Sequence, residues 1–206
     1  MSVSEHHERR KLEIMERCFD CYCENGIAST GLKALAKACN MTTGTMYVYF
    51  DSIDDLIVQS TAYCMAKVED EFMALSPKNP ADIKRFVEEV PYWTAKKHGK
   101  KYRFMYQVYT SPKYLEYGKE FFKGVEQRYT EYAKQLELRL GIPWQIIQPM
   151  IFTFVRASVH YALFEDEAYL KPQMDMLWQM CSMLKEKYSV IEPESINKST
   201  CQEETR

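Results

Sequence analysis

No run of eighteen apolar residues occurs in this chain of 206 residues, so it lacks the material for a membrane-spanning helix, and no membrane partner is expected. Its first residues, MSVSEHHERR, are charged and unlike a secretory leader, which makes the cytoplasm the expected compartment. Glycine-rich phosphate loops and metal-ligand motifs are missing too. His98 and His160 have no Asp or Cys in a recognisable register, and the paired acids Glu88 and Glu89 suit a solvated helix face. Neither an enzyme nor a cofactor is expected. Nor is there an excess of one charge, since 27 Lys and Arg face 29 Asp and Glu for a net of −2. No strand alternation or internal repeat competes with the helical spacing that fills the chain.

Cysteine, by contrast, is plentiful. Seven residues at irregular spacings, an odd number, do not make a disulfide framework in a chain of this size. Cys18, Cys21 and Cys23 lie within a helical pattern that includes Ile14, Met15 and Tyr22. With no His or fourth thiol nearby to complete a tetrahedral set, packing is the expected role and no metal site is assigned. Cys39 reads likewise as a small buried residue.

The stretch from Thr30 to Phe50, TGLKALAKACNMTTGTMYVYF, carries the most information. Leu32, Leu35, Ala36 and Cys39 fall on one face of a helix. Asn40 suits the left-handed corner that ends it, and Thr42 suits the N-cap of the next helix, expected over Thr43 to Tyr49. That second helix has no charged side chain and is too short to stand alone, so its exposed face must serve a partner. Two short helices crossing at a tight turn form a helix-turn-helix, whose second helix enters the DNA major groove. Gly26, Leu35-Ala36, and Gly44-Thr45-Met46-Tyr47-Val48-Tyr49-Phe50 followed by Leu56 resemble the N-terminal signature of the TetR/AcrR family of bacterial repressors.

Along the chain, a first helix is expected from about Glu8 to Glu24, stopped by Asn25-Gly26, with Leu12, Met15, Cys18, Phe19 and Tyr22 inward. Ser52 and Asp55 form a capping-box-like start to a fourth helix through Leu56, Ile57, Tyr63, Val68 and Phe72, which joins the two halves. Asn79-Pro80 opens a fifth helix, with a kink at Pro91. The cluster Lys96, Lys97, His98, Gly99, Lys100, Lys101 and Arg103 reads as a solvated turn before a short sixth helix, with an anion-attracting or phosphate-touching patch as the alternative. Ser111-Pro112 caps a seventh that runs to Gly141, Pro143 starts an eighth kinked near Pro149, and Lys171-Pro172 opens a ninth that ends near Tyr188. The expected fold is all-α, with nine helices divided three plus six. The expected division is a helix-turn-helix DNA-binding domain over 1–52, a ligand-binding and dimerisation domain over 53–189, and a frayed tail over 190–206.

The resemblance implies double-stranded DNA as a partner and places Thr42, Thr43, Gly44, Thr45, Tyr47 and Tyr49 at the groove, with Thr30 and Lys33 reaching from the preceding helix. Phe50 is instead expected in the core. Where the family has a lysine at the start of the fourth helix, this chain has Ile53, next but one to Asp51, and a phosphate contact is lost. Residues 1–60 hold six Lys and Arg against nine acids, net −3, an unusual balance for a DNA-reading head. The last helix is apolar on two sides, with Leu177, Trp178, Cys181, Leu184 and Tyr188 on one and Met176, Met180 and Met183 on the other. Phe152, Val159 and Leu163, interrupted by Arg156, make a similar stripe, and the family pairs these helices in a two-fold homodimer. Phe86, Trp93, Tyr106, Tyr109, Phe122, Tyr129, Phe152 and Phe154 are candidate walls for a small apolar, aromatic or cationic effector. The expected function is a ligand-responsive transcriptional regulator, a repressor released from a palindromic operator. The alternative is a helical dimeric ligand- or protein-binding module with weak or lost DNA binding.

Overall fold

The computed structural model describes residues 3–77 and 82–188. The expected opening of a helix at Asn79-Pro80 and the expected tail over 190–206 lie outside the described residues. All regular structure among them is helical: α1 (Val3–Asn25), α2 (Leu32–Ala38), α3 (Thr43–Met46), α4 (Ile53–Ala74), α5 (Asp82–Tyr109), α6 (Leu115–Leu140), α7 (Trp144–Phe164) and α8 (Glu167–Tyr188).

The expected all-α class holds, but the described residues contain eight helices rather than nine. The fifth and sixth expected helices are one, because the cluster Lys96 to Arg103 is not a turn. Its cations are engaged along the side of α5: Lys100 pairs with Glu24 of α1, Lys97 with Glu71 of α4, and Arg103 donates to the carbonyl of Leu163 at 3.3 Å. Gly99 is there for close approach rather than for a bend, since a Cβ at that position would lie 3.3 Å from the backbone oxygen of Ala162 in α7. Pro91 and Pro149 both lie inside continuous helices.

Several helix ends follow from local side-chain chemistry. Gly26 and Asn40 take the left-handed backbone, with φ of 77° and 53°, at the ends of α1 and α2. Thr42 accepts the N–H of Thr45 at 3.2 Å, and Ser52 that of Asp55 at 3.0 Å, which caps α3 and α4. Two starts differ from the sequence expectation. α6 begins at Leu115 rather than at Ser111-Pro112, with Tyr114 in the capping position and its hydroxyl donating to Asp54. α8 begins five residues before Pro172, because Asp166 accepts the N–H of Tyr169 at 3.0 Å and supplies the cap.

One apolar core runs from the N-terminal helices into the body. Ile14, Phe19 and Tyr22 of α1, Leu35 of α2, Met46 of α3 and Phe50 join Leu56, Met65 and Val68 of α4 and Phe104 and Val108 of α5. Tyr22 stacks on Phe104 with ring centroids 5.2 Å apart, and Phe19 meets the same ring edge-on at 5.4 Å. A second core gathers Phe72, Val90, Tyr129, Phe154 and Leu177 between α4 and α8. Cys18 and Cys39 are fully buried in the first core with their sulfurs 3.5 Å apart, so they pack α1 against α2.

Candidate functional site

The three N-terminal helices present an uncharged face built on α3. α3 is a single turn, Thr43–Met46, and the chain continues as turns through Tyr49 rather than as the longer helix expected. Met46 and Phe50 point into the core and anchor it. Between these anchors, Tyr47 and Val48 are 54% and 65% exposed. Gly44 and Thr45 are exposed and Thr43 is half-buried. The hydroxyls of Thr42 and Thr45 lie 2.8 Å apart in a hydrogen bond, which fixes both side chains at the head of the turn.

Not every residue expected on this face reaches it alike. Thr30 is buried, and its hydroxyl donates to the carbonyl of Gly26 at 2.7 Å, so it stabilises the α1–α2 connection. Tyr49 is half-buried and stacks on His7 of α1 at 4.6 Å between centroids. Lys33 is exposed. Val48 is a feature that sequence reasoning passed over, and the signal was its position between buried Met46 and Phe50, which forces it outward. Two arginines of α1 are committed to the head itself. Arg10 donates to the carbonyl of Cys39 at 2.8 Å and Arg17 to that of Ala38 at 3.3 Å, so both serve the C-terminal end of α2. Arg10 also pairs with Glu13 and holds that carboxyl below its usual range. At the start of α4, Asp55 accepts the N–H of Asp51 and Ser52 accepts that of Asp55, so these backbone donors are already used.

Behind the head, the expected wall residues are divided between two cavities among the described residues rather than gathered in one. The first, about 370 Å³, lies among α4, α5, α6 and α7, and four of the expected wall residues line it: Tyr106, Phe122, Tyr129 and Phe152. The second, about 460 Å³, is bounded chiefly by α5, α6, α7 and α8 and takes Phe86 and Phe154. Trp93 and Tyr109 line neither. Trp93 packs against His98 at 5.1 Å, and Tyr109 is buried against Phe121 at 5.0 Å. The second cavity is walled mostly by apolar side chains, including Leu136, Ile147 and Leu177, with Ser76, Ser182, Lys185 and Glu186 also in its lining. The first contains a buried acid, Glu69 of α4, whose carboxyl is pushed up to about 7 by burial, with Arg128 opposing. Sequence reading missed it because Glu69, Asp70 and Glu71 are consecutive, and only the turn of the helix separates the one that faces inward.

The stripes expected at a dimer interface divide in the same way. Met176, Met180 and Met183 are exposed on α8, whereas Val159 of α7 is buried in the first core and Leu163 packs against it. Phe152 faces the first cavity, and Arg156 lies at its edge, donating to the Tyr106 hydroxyl at 3.0 Å.

Comparison with known proteins agrees with this geometry. Residues 14–59 match the model of bacterial regulatory proteins of the tetR family. No curated protein sequence matches the chain. Among solved structures, a putative TetR-family transcriptional regulator from Mesorhizobium loti MAFF303099 is 13% identical, with a TM-score of 0.63 over 91% of this chain and 99% of that one. A TetR transcription regulator from Haloarcula marismortui ATCC 43049 is 14% identical, with a TM-score of 0.61 over 88% and 98%. The regulator FadR from Bacillus subtilis, in complex with stearoyl-CoA, is 14% identical, with a TM-score of 0.50 over 87% and 98%. Residues 14–59 thus carry the helix-turn-helix of the tetR-family model, and the helices that follow share the fold of solved TetR-family regulators.

Proposed function

We propose that this DNA-binding regulator is a ligand-responsive repressor that acts as a two-fold dimer on a palindromic operator and is released by a small apolar or aromatic effector. The observation that carries the reading is the shared core. The exposed, uncharged turn of Thr43 to Val48 is anchored by Met46 and Phe50 in the same apolar cluster as α4, and α4 contributes Met65 and Glu69 to the wall of a cavity. Occupation of the cavity and the attitude of the reading turn are thereby coupled through one helix. A ligand that prefers the DNA-incompetent attitude shifts the population toward it.

In this reading residues 1–52 read DNA, and 53–189 bind the effector and pair two copies. Thr42, Thr43, Gly44, Thr45, Tyr47 and Tyr49 approach the groove, with Lys33 alongside. The threonine and tyrosine hydroxyls suit phosphate oxygens, and the threonine methyls suit base edges. The outward methionines of α8, Met176, Met180 and Met183, form the dimer contact with the outer face of α7, and the two-fold axis sets the half-site spacing. The complex of Bacillus subtilis FadR with stearoyl-CoA is a precedent for a small-molecule ligand on this fold.

Fluorescence anisotropy with DNA flanking the protein's own gene tests the proposal. Specific binding is expected to weaken as salt rises, and to fall about tenfold or more in the double variant Thr43→Ala with Tyr47→Ala. Binding that is indifferent to sequence, or unchanged in that variant, would instead favour the helical ligand-binding module without an operator.

A further inference from the structure

An apolar effector leaves one feature of the first cavity unexplained. The side chain of Glu69 is only 7% exposed, yet it lines this cavity. Its Oε2 is fully buried and accepts no aligned hydrogen bond, even though Nη1 of Arg128 stands 3.0 Å away. The two observations agree. The guanidinium turns to exposed Asp70, to which its Nη2 donates, and it meets Glu69 off the N–H axis. A buried carboxylate that shares its one nearby cation with Asp70 and accepts no aligned hydrogen bond is costly, and an aligned donor entering the cavity would relieve that cost.

The surroundings suit a positively charged donor. Tyr102 and Tyr129 line the same cavity, and each feels the negative charge of Glu69, which adds to burial in raising its phenol. Aromatic faces attract cations, and the cavity wall already shows this, with the Arg156 guanidinium 5.5 Å from the centre of the Phe122 ring. The lysines at the mouth oppose a cation less than their number implies. Lys119 is bound to Glu116 at 2.7 Å, and both Lys119 and Lys123 are exposed, where water and salt screen them. Glu69 acts at depth, where screening is weak.

The geometry points to a small amphipathic amine as the ligand of this cavity, its protonated nitrogen donating to Glu69 beside Tyr102 and Tyr129 and its apolar body lying against Phe122 and Phe152. The inference rests on the regulatory reading only for the consequence of binding. Binding itself follows from the cavity. A volume of about 370 Å³ admits one molecule of this kind. Because Glu69 lies on α4, the nitrogen draws on the helix that carries the reading turn.

Calorimetric titration of the full chain without DNA, with three matched probes, tests the inference: 4-phenylbutylamine, 4-phenylbutanol and 4-phenylbutyrate. The amine is expected to bind about tenfold or more tightly than the alcohol, since a charge-assisted bond to a buried carboxylate is worth that much. The advantage should vanish in Glu69→Gln while the alcohol still binds. Phe152→Leu should weaken amine and alcohol together, and this second variant keeps the test decisive should Glu69→Gln fail to fold. The inference is overturned if the butyrate binds best, if none of the three binds, or if the amine keeps its advantage in Glu69→Gln. Amine binding that leaves operator affinity unchanged would refute the regulatory reading alone.

Discussion

Replacing Glu69 by Gln should stabilise the protein above neutral pH and do little in acid. In the folded chain burial holds this carboxyl at about 7 against an ordinary 4.5, with Asp70 adding to the rise and Arg128 opposing it. Between those two values the folded protein keeps a proton that the unfolded chain has released. Folded binds more protons than unfolded, so stability falls as pH rises through the window. The gap of 2.5 between the two pKa values, at about 1.4 kcal/mol each, makes the full cost about 3 kcal/mol above pH 7. Gln has a similar shape and cannot ionise, so the variant escapes it. The difference between variant and parent should grow from under about 1 kcal/mol at pH 5 to about 3 kcal/mol at pH 8.5. For a chain of this size that is a rise of roughly 6–12 °C in Tm at the alkaline end. Urea unfolding at matched protein concentration and several pH values reads the difference directly, because titrations elsewhere cancel between the two proteins. A difference that is constant with pH, or a variant less stable than the parent at pH 8.5, would refute the assignment of Glu69 as a buried acid held against its preference. The same carboxylate is proposed above as the anchor for an amine, so the gain in stability should come with loss of that ligand, as expected where function retains a strained group.

Two further outcomes test other parts of the fold. A Cβ on Gly118 would lie 2.8 Å from both the Cβ and the carbonyl oxygen of Tyr109, and backbone cannot move aside, so Gly118→Ala should destabilise the chain by about 1–3 kcal/mol in urea unfolding; a neutral result would mean that the α5–α6 corner is looser than described. If the exposed methionines of α8 seat a second copy, Met176→Lys with Met180→Lys should shift sedimentation from dimer to monomer by about a hundredfold in Kd with the helical circular dichroism intact, and an unchanged dimer would move the interface elsewhere.

What the sequence made legible was largely what is decided within a few residues. Asn40 at its left-handed corner, Thr42 and Ser52 at their caps, and Gly26 and Gly141 beyond their helices each satisfy backbone groups of their own neighbourhood. The long α5 was misread because its stabilising partners are remote. Lys100 reaches Glu24 across 76 positions and Lys97 reaches Glu71 across 26, and without those acids a run of cations around a glycine looks like a turn. The start of α8 was missed because a proline drew attention from the capping aspartate six residues before it. Helical register identified the inward aromatics but not their destination. Phe122 and Phe154 both face inward, and which cavity each one walls depends on how α6 and α7 cross, which periodicity does not encode.

The same remote ion pairs resolve the acidic balance of the head. Of its nine acids, Glu16 pairs with Lys67, Glu24 with Lys100 and Asp54 with Lys113. All three lysines lie outside residues 1–60, so the net of −3 counted there becomes zero once these three partners are added. Those pairs also constrain how the head can move. Each is solvent-exposed, and such pairs contribute little individually and exchange readily for water. The stack of Phe19 and Tyr22 on Phe104 is of another kind, since separating it would open the buried core that α1 shares with α4 and α5. Motion that trades surface ion pairs is therefore cheap, and motion that parts the rings is not. A ligand acting on Glu69 would then move α4, the helix-turn-helix and the Phe104 stretch of α5 as one packed unit, rather than folding the chain at a hinge between the head and the start of α4.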